Sequence, residues 1–253
     1  YFSNNAIVEV GEVNGWGRSL LTGKGIKASY TYGKNTVGAM YTRGPGFFKN
    51  NFSEGMGFYH SFRNKKLIWN NYYSTQKNER LYSKTDLANT SVSYKINPHH
   101  QILFGGGASI DSYKRDSVSS AVPGFGYDMT YSGSYNKLNG SLSYSTGTGN
   151  YALAHGTTMI SGRANYNINA KKLIAFSYQN FKQRPEYFFN GVITSGSPTR
   201  SDRYELRYGI QSPTAFAFLK PTYMYEENQT LRTRTKGLGV EYNLRNLQSV
   251  RIS

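Results

Sequence analysis

The sequence predicts an all-β fold, an antiparallel up-and-down transmembrane β-barrel of about 14–16 strands, complete in itself or part of a larger barrel. Three observations carry this: apolar and polar residues alternate with period two in segment after segment, most segments run to eight to twelve residues, and short turns alternate with longer loops. Strands of globular sheets average about five or six residues, whereas a tilted strand needs about nine to eleven to cross a bilayer. Residues 1–253 read as one domain, a length that all-β barrels fill as a single unit.

The clearest instance is residues 125–145, FGYDMTYSGSYNKLNGSLSYS. Phe125, Tyr127, Met129, Tyr131 and Tyr135 alternate with Gly126, Asp128, Thr130, Ser132 and Ser134. A two-residue turn at Asn136-Lys137 sets Tyr135 opposite Leu138, Gly133 opposite Gly140, Tyr131 opposite Leu142 and Met129 opposite Tyr144. One face of the hairpin is then apolar and aromatic, the other polar.

Taken in order, the predicted strands are 4–11, 24–33, 36–43, 52–62, 66–76, 85–96, 100–112, 125–135, 138–146, 157–168, 171–182, 201–211, 216–227, 232–243 and 247–253. Short turns fall at Lys34-Asn35, Asn64-Lys65, Asn97-Pro98-His99, Asn136-Lys137, Asn169-Ala170, Ser212-Pro213-Thr214 and Arg245-Asn246. The longer connections are 12–23, 44–51, 77–84, 113–124, 147–156, 183–200 and 228–231. Outer-membrane barrels keep short turns on the periplasmic side and long loops outside, an alternation that a soluble meander has no reason to obey. Lys34-Asn35 aligns Tyr32 with Val37, and Asn64-Lys65 aligns Phe62 with Leu67 and His60 with Trp69. A three-residue loop at 244–246 opposes Val240 to Val250 and Leu238 to Ile252. Pro45, Pro98, Pro123, Pro185, Pro198 and Pro213 fall in predicted turns or loops, whereas Pro221 lies inside 216–227 and implies a bulge or a later start. An odd number of strands also predicts an edge with no partner in the chain, because bacterial barrels close on an even number.

One face collects Ile26, Ala28, Tyr30, Tyr32, Leu87, Val92, Tyr94, Ile96, Tyr166, Tyr204, Leu206 and Tyr208. Lipid contact is expected for Tyr30, Tyr131, Leu142, Tyr166, Leu206, Tyr208 and Val240. The opposite face collects serines, threonines and charges, with Lys27, Lys95, Asp128, Arg163, Arg203, Glu205, Arg207 and Glu241 expected to line a polar lumen. Tyr32, Tyr135, Tyr166 and Tyr242 stand near strand ends, where interfacial girdles form. The 23 Tyr, 14 Phe and 27 Gly fit this scheme, and no apolar run approaches the roughly 18 residues of a membrane helix. The absence of Cys excludes disulfides and thiolate metal sites.

The paired strands GYDMTYSGSY and KLNGSLSYST, the Asn-Lys turns and the Tyr- and Gly-rich strands make the whole chain resemble the outer-membrane β-barrel proteins of Gram-negative bacteria. Its Asn, Lys and Tyr usage resembles that of Bacteroidota, and residues 11–30, GEVNGWGRSLLTGKGIKASY, are similar to the barrels of secretion and usher proteins. The resemblance implies residence in the cell outer membrane, contact with the lipid bilayer and lipopolysaccharide, association with other envelope chains, and passage of solute or polypeptide. A structural scaffold barrel with a filled lumen is the alternative, and a membrane-embedded hydrolase a third reading. Such barrels usually finish on an aromatic residue, whereas residues 250–253 read VRIS.

With 30 Lys and Arg against 14 Asp and Glu, the formal net charge is +16. The cations are scattered over turns, loops and the polar face, where they solvate loops, attract lipopolysaccharide phosphates or favour anions in a lumen. Nucleic acid is not expected as a partner, since the aromatics lie on the face opposite the charges. Catalysis is not expected either: His155 has Thr157 and Thr158 beside it and no carboxylate nearby in sequence, and His60, His99 and His100 lie on strands or turns. No cofactor motif or metal-ligand spacing is present, and Gly105-Gly106-Gly107 reads as a place where a bulky aromatic or another backbone packs close.

Overall fold

The computed structural model describes residues 5–15, 21–45, 52–78, 81–115, 117–189, 191–211, 215–227, 231–244 and 250–252. They form β1 (Ala6–Asn14), β2 (Thr22–Tyr32), β3 (Asn35–Pro45), β4 (Phe52–Arg63), β5 (Leu67–Asn78), β6 (Ser83–Asn97), β7 (His100–Arg115), β8 (Val118–Tyr135) and β9 (Leu138–Gly147). The chain continues as β10 (Thr157–Asn167), β11 (Lys172–Gln183), β12 (Glu186–Phe189), β13 (Val192–Ser195), β14 (Thr199–Gln211), β15 (Ala215–Glu227), β16 (Arg232–Leu244) and β17 (Val250–Ile252). One antiparallel up-and-down sheet runs in sequence order from β1 to β11 and on through β14 to β17, while β12 and β13 form a hairpin of their own. With β17 only three residues long, fourteen long strands build the sheet. Among the described residues β1 pairs only with β2 and β17 only with β16.

Turn chemistry sets the register. Asn136, at φ 50°, accepts the left-handed conformation that a tight hairpin turn needs, and the β8–β9 pairs fall as the sequence predicts, from Tyr135 opposite Leu138 to Met129 opposite Tyr144. In the first hairpin Gly33, at φ 56°, takes that role instead, so the turn is Gly33-Lys34 and Tyr30, not Tyr32, faces Val37. Asn64 Oδ1 accepts the amides of Lys66 and Leu67 at 2.8 and 2.7 Å, which lengthens that turn and sets Phe62 opposite Trp69 and His60 opposite Asn71. The last pairing is Val240 with Ile252 and Tyr242 with Val250, not Val240 with Val250; residues 245–249 lie outside the described residues. Each correction moves the register by two residues, which leaves every side chain on its predicted face.

Two expected loops are strand. β7 and β8 stay paired out to Arg115 and Val118, so 113–124 is largely a ladder, and 183–200 holds the β12–β13 hairpin. Pro123 is tolerated inside β8 because it lies beyond the last β9 pair, Gly126 with Gly147, where β8 has a neighbour on one side only. Pro45 likewise closes β3, opposite Phe52, instead of standing in a loop. At Pro221 the register holds without a bulge: β15 pairs Leu238 on one side, and on the other its β14 ladder lapses between Thr222 and Leu219, beside the missing N–H.

The two faces of the sheet differ in character. Tyr30, Phe58, Tyr94, Phe104, Phe125, Leu142, Phe176 and Leu206 are exposed, whereas Thr42, Ser53, Ser61, Ser74, Ser109, Asp128 and Glu205 are buried on the other face. Leu87 departs from its predicted side. At 1% exposure it lies in the row Ser74–Leu87–Ser109 of the polar face, in phase with Ser91 and Ser93. A small apolar cluster of Val13, Leu21 and Met40 also lies there, Leu21 packing over Gly55 and Gly57.

Candidate functional site

Cross-strand pairing carries one row of polar-face residues over eight strands: Lys95, Gln101, Ser132, Ser141, Arg163, Ser177, Glu205 and Thr222. Arg203 and Arg207 stand two residues either side of Glu205, on the same face of β14. Glu205, 4% exposed, accepts Arg203 Nη2 at 3.2 Å and Arg207 Nε, while both guanidinium groups keep access to solvent. Arg163 Nε donates to Asn165 Oδ1 at 3.3 Å. Two adjoining recesses share Ser141 and Arg163: one of about 590 Å³ lined also by Lys95, His100 and Ser132, and one of about 320 Å³ lined also by Arg203, Glu205 and Arg207. Arg163, Arg203 and Arg207 share one recess with Glu205, and Lys95 shares the adjoining one with Arg163, so cations outnumber the carboxylate along this row and suit it to phosphate or carboxylate groups.

The fold thus brings Arg163, Arg203, Glu205 and Arg207 into one recess and sets Lys95 in the next. Lys27 stands apart, paired with Glu9 at 3.4 Å across β1 and β2. Asp128 is buried with its carboxylate over Gly105, in another row of the same face. Glu241 pairs with Phe218 and Arg251, and its side chain and that of Val240 lie outside the described residues. Tyr30, Tyr131, Leu142, Tyr166, Leu206 and Tyr208 are all exposed on the apolar face.

Sequence reasoning missed what covers the polar face. From the connection 148–156, residues 150–152 lie over β7 and β8, with Tyr151 against Gly107 and Gly126 and the Asn150 backbone against Gly124. Ser109 Oγ donates to Asn150 O at 3.4 Å and accepts the Ala152 amide at 3.1 Å, and Asn150 Nδ2 donates to Glu186 Oε2 at 2.9 Å. The glycine run 105–107 signalled this close approach. The fold also sets a carboxylate near His155 that sequence proximity did not show: Asp111, which accepts Thr85 Oγ1 at 2.6 Å. The His155 ring stacks on Tyr187 at 6.3 Å between centroids. His60 lies edge-on to Trp69 at 6.1 Å, between Asn35 and Asn71, and among the described residues no three metal-ligating side chains cluster.

At the long-connection end of β11 to β16, aromatics and charges share the apolar face, contrary to the separation expected from sequence. Tyr178, Tyr204 and Tyr223 form one row, and Asn180, Asp202, Tyr225 and Arg234 the next. No protein-family model matches this chain, and no curated protein does.

Proposed function

We propose that the chain forms a transmembrane β-barrel, or the greater part of one, in the cell outer membrane, and that it provides a passage for solute or polypeptide with a preference for anionic groups. The observation that carries this reading is the order of rows on the apolar face. From the short-turn end, the rows Tyr166–Ile174–Tyr208–Leu219 and Ala164–Phe176–Leu206 precede the tyrosine row, and that precedes the charged rows. Hydrocarbon, aromatic belt and headgroup charge follow one another in a bilayer in the same order. In water such a continuous apolar face would exceed the few hundred Å² that soluble monomers tolerate. On the other face, Lys95, Arg163, Arg203 and Arg207 favour anions.

The test is conductance of the purified protein in planar bilayers, where discrete steps with an anion-shifted reversal potential are expected. Inserted protein that stays silent would sink the pore. The second reading, a scaffold barrel with a filled interior, is favoured by one specific feature: residues 148–156 and Leu21 lie on the polar face. A variant lacking 149–154 that conducts where the native chain does not would select it.

A further inference from the structure

The charged end of the apolar face holds a recess of about 560 Å³ between β10 and β16. Its floor is Asp202, 7% exposed, which accepts the Asn180 amide and both Nε and Nη2 of Arg200, at 2.9 and 2.8 Å. Arg200 of β14 and Arg234 of β16 approach Tyr225 from the two strands that flank β15, each guanidinium 5.8 Å from the Tyr225 ring centre. Lys182 adds a third cation to the lining, where Asp202 is the carboxylate, while Glu227 stands beside it, paired opposite Arg200 and accepting the Tyr225 hydroxyl at 2.9 Å. One step toward the apolar rows, Tyr178 and Tyr204 lie 4.8 Å apart and Tyr204 and Tyr223 6.0 Å apart, ring to ring. One step further, Phe176 and Leu206 are exposed.

We propose that this recess binds the phosphorylated saccharide headgroup of a membrane glycolipid. Cations that converge on one point take a phosphate, with the Asp202–Arg200 pair fixing the guanidinium that meets it. Tyrosine faces offer a sugar ring a flat apolar surface with hydroxyls at the edge. The exposed Phe176 and Leu206 lie where acyl chains run. Phosphate, sugar and acyl chain are met in that order along one direction of the sheet, an order that a free anion does not require.

The site rests on the bilayer reading above. The probe is a bisphosphorylated, acylated glucosamine disaccharide titrated into the full chain in detergent and in vesicles. Combined Arg200→Gln and Arg234→Gln substitution is expected to weaken binding at least tenfold, while combined Lys65→Gln and Lys137→Gln substitution, which removes equal charge at the opposite end, leaves it unchanged. Should the double arginine variant fail to fold, as read by heat-modifiable migration, Arg234→Gln alone is expected to weaken binding at least threefold. Unchanged binding in a folded variant overturns the site, as does equal affinity for non-acylated glucosamine 1-phosphate or for a single-stranded oligonucleotide. Wild-type protein that does not enter vesicles fails the bilayer reading instead, whereas inserted protein indifferent to Arg200 and Arg234 fails only the headgroup site.

Discussion

The Tyr151 ring lies directly over Gly126, so close that a β-carbon at position 126 would collide with it. Gly107 meets the Tyr151 hydroxyl in the same way, so two glycines of adjacent strands form the seat of one aromatic. Gly126→Val is therefore expected to lift residues 148–156 from the polar face. In a conducting barrel this raises single-channel conductance and exposes the segment to protease, and a variant with native conductance and native protection would contradict the seat.

Tyr151→Ala removes a ring that is buried against β7 and β8. The expected cost is about 3 kcal/mol, the scale of large-to-small truncation at packed aromatic sites. Urea titration of refolding into detergent micelles measures it. A cost below about 1 kcal/mol would mean that the segment contributes little to the folded state.

Leu142 and Ser141 are neighbours on opposite faces in the middle of β9, Leu142 at 57% exposure on the apolar side. Leu142→Arg is expected to destabilise the inserted protein by about 2–4 kcal/mol, the cost of a cation near the bilayer midplane. Ser141→Arg places the same group on the polar face beside Arg163 and should cost far less. Equal costs in reversible vesicle insertion would reject the two-faced assignment.

Glu205 holds Arg203 and Arg207 with its buried carboxylate. Glu205→Gln removes the one anion of that cluster and is expected to shift the reversal potential further toward anions. Because both arginines keep contact with water, the accompanying loss of stability should be about 1–2 kcal/mol, well short of a fully buried broken pair. An unchanged reversal potential in a conducting variant would remove this cluster from the passage.

Trypsin added to intact cells is expected to cut in the connections between β7 and β8 or between β11 and β14, and to spare Lys34, Lys65 and Lys137 in the short turns. The β7–β8 ladder, paired out to Arg115 and Val118, should slow cleavage there relative to the segment that follows β11. Cutting at Lys34 or Lys137 alone would invert the orientation.

Period-two alternation by itself determined the strands, their faces and the placing of Lys95, Arg163, Arg203, Glu205 and Arg207 on one side, because a side chain's face depends only on whether its position is odd or even along the strand. For the same reason Leu87, in phase with Ser91 and not with Val92, takes the polar face, and the turns at Gly33 and Asn64, which move the register by two, leave the faces intact. Sequence could not say how far a ladder persists: 113–124 reads as a loop, yet β7 carries β8 through Pro123 because no third strand claims the amide that proline lacks. Nor could it say what lies above a face. Tyr151 settles from a connection onto Gly107 and Gly126, and Arg200 and Arg234 reach Tyr225 from the strands either side of it, and only the tertiary structure decides which side chains become neighbours there.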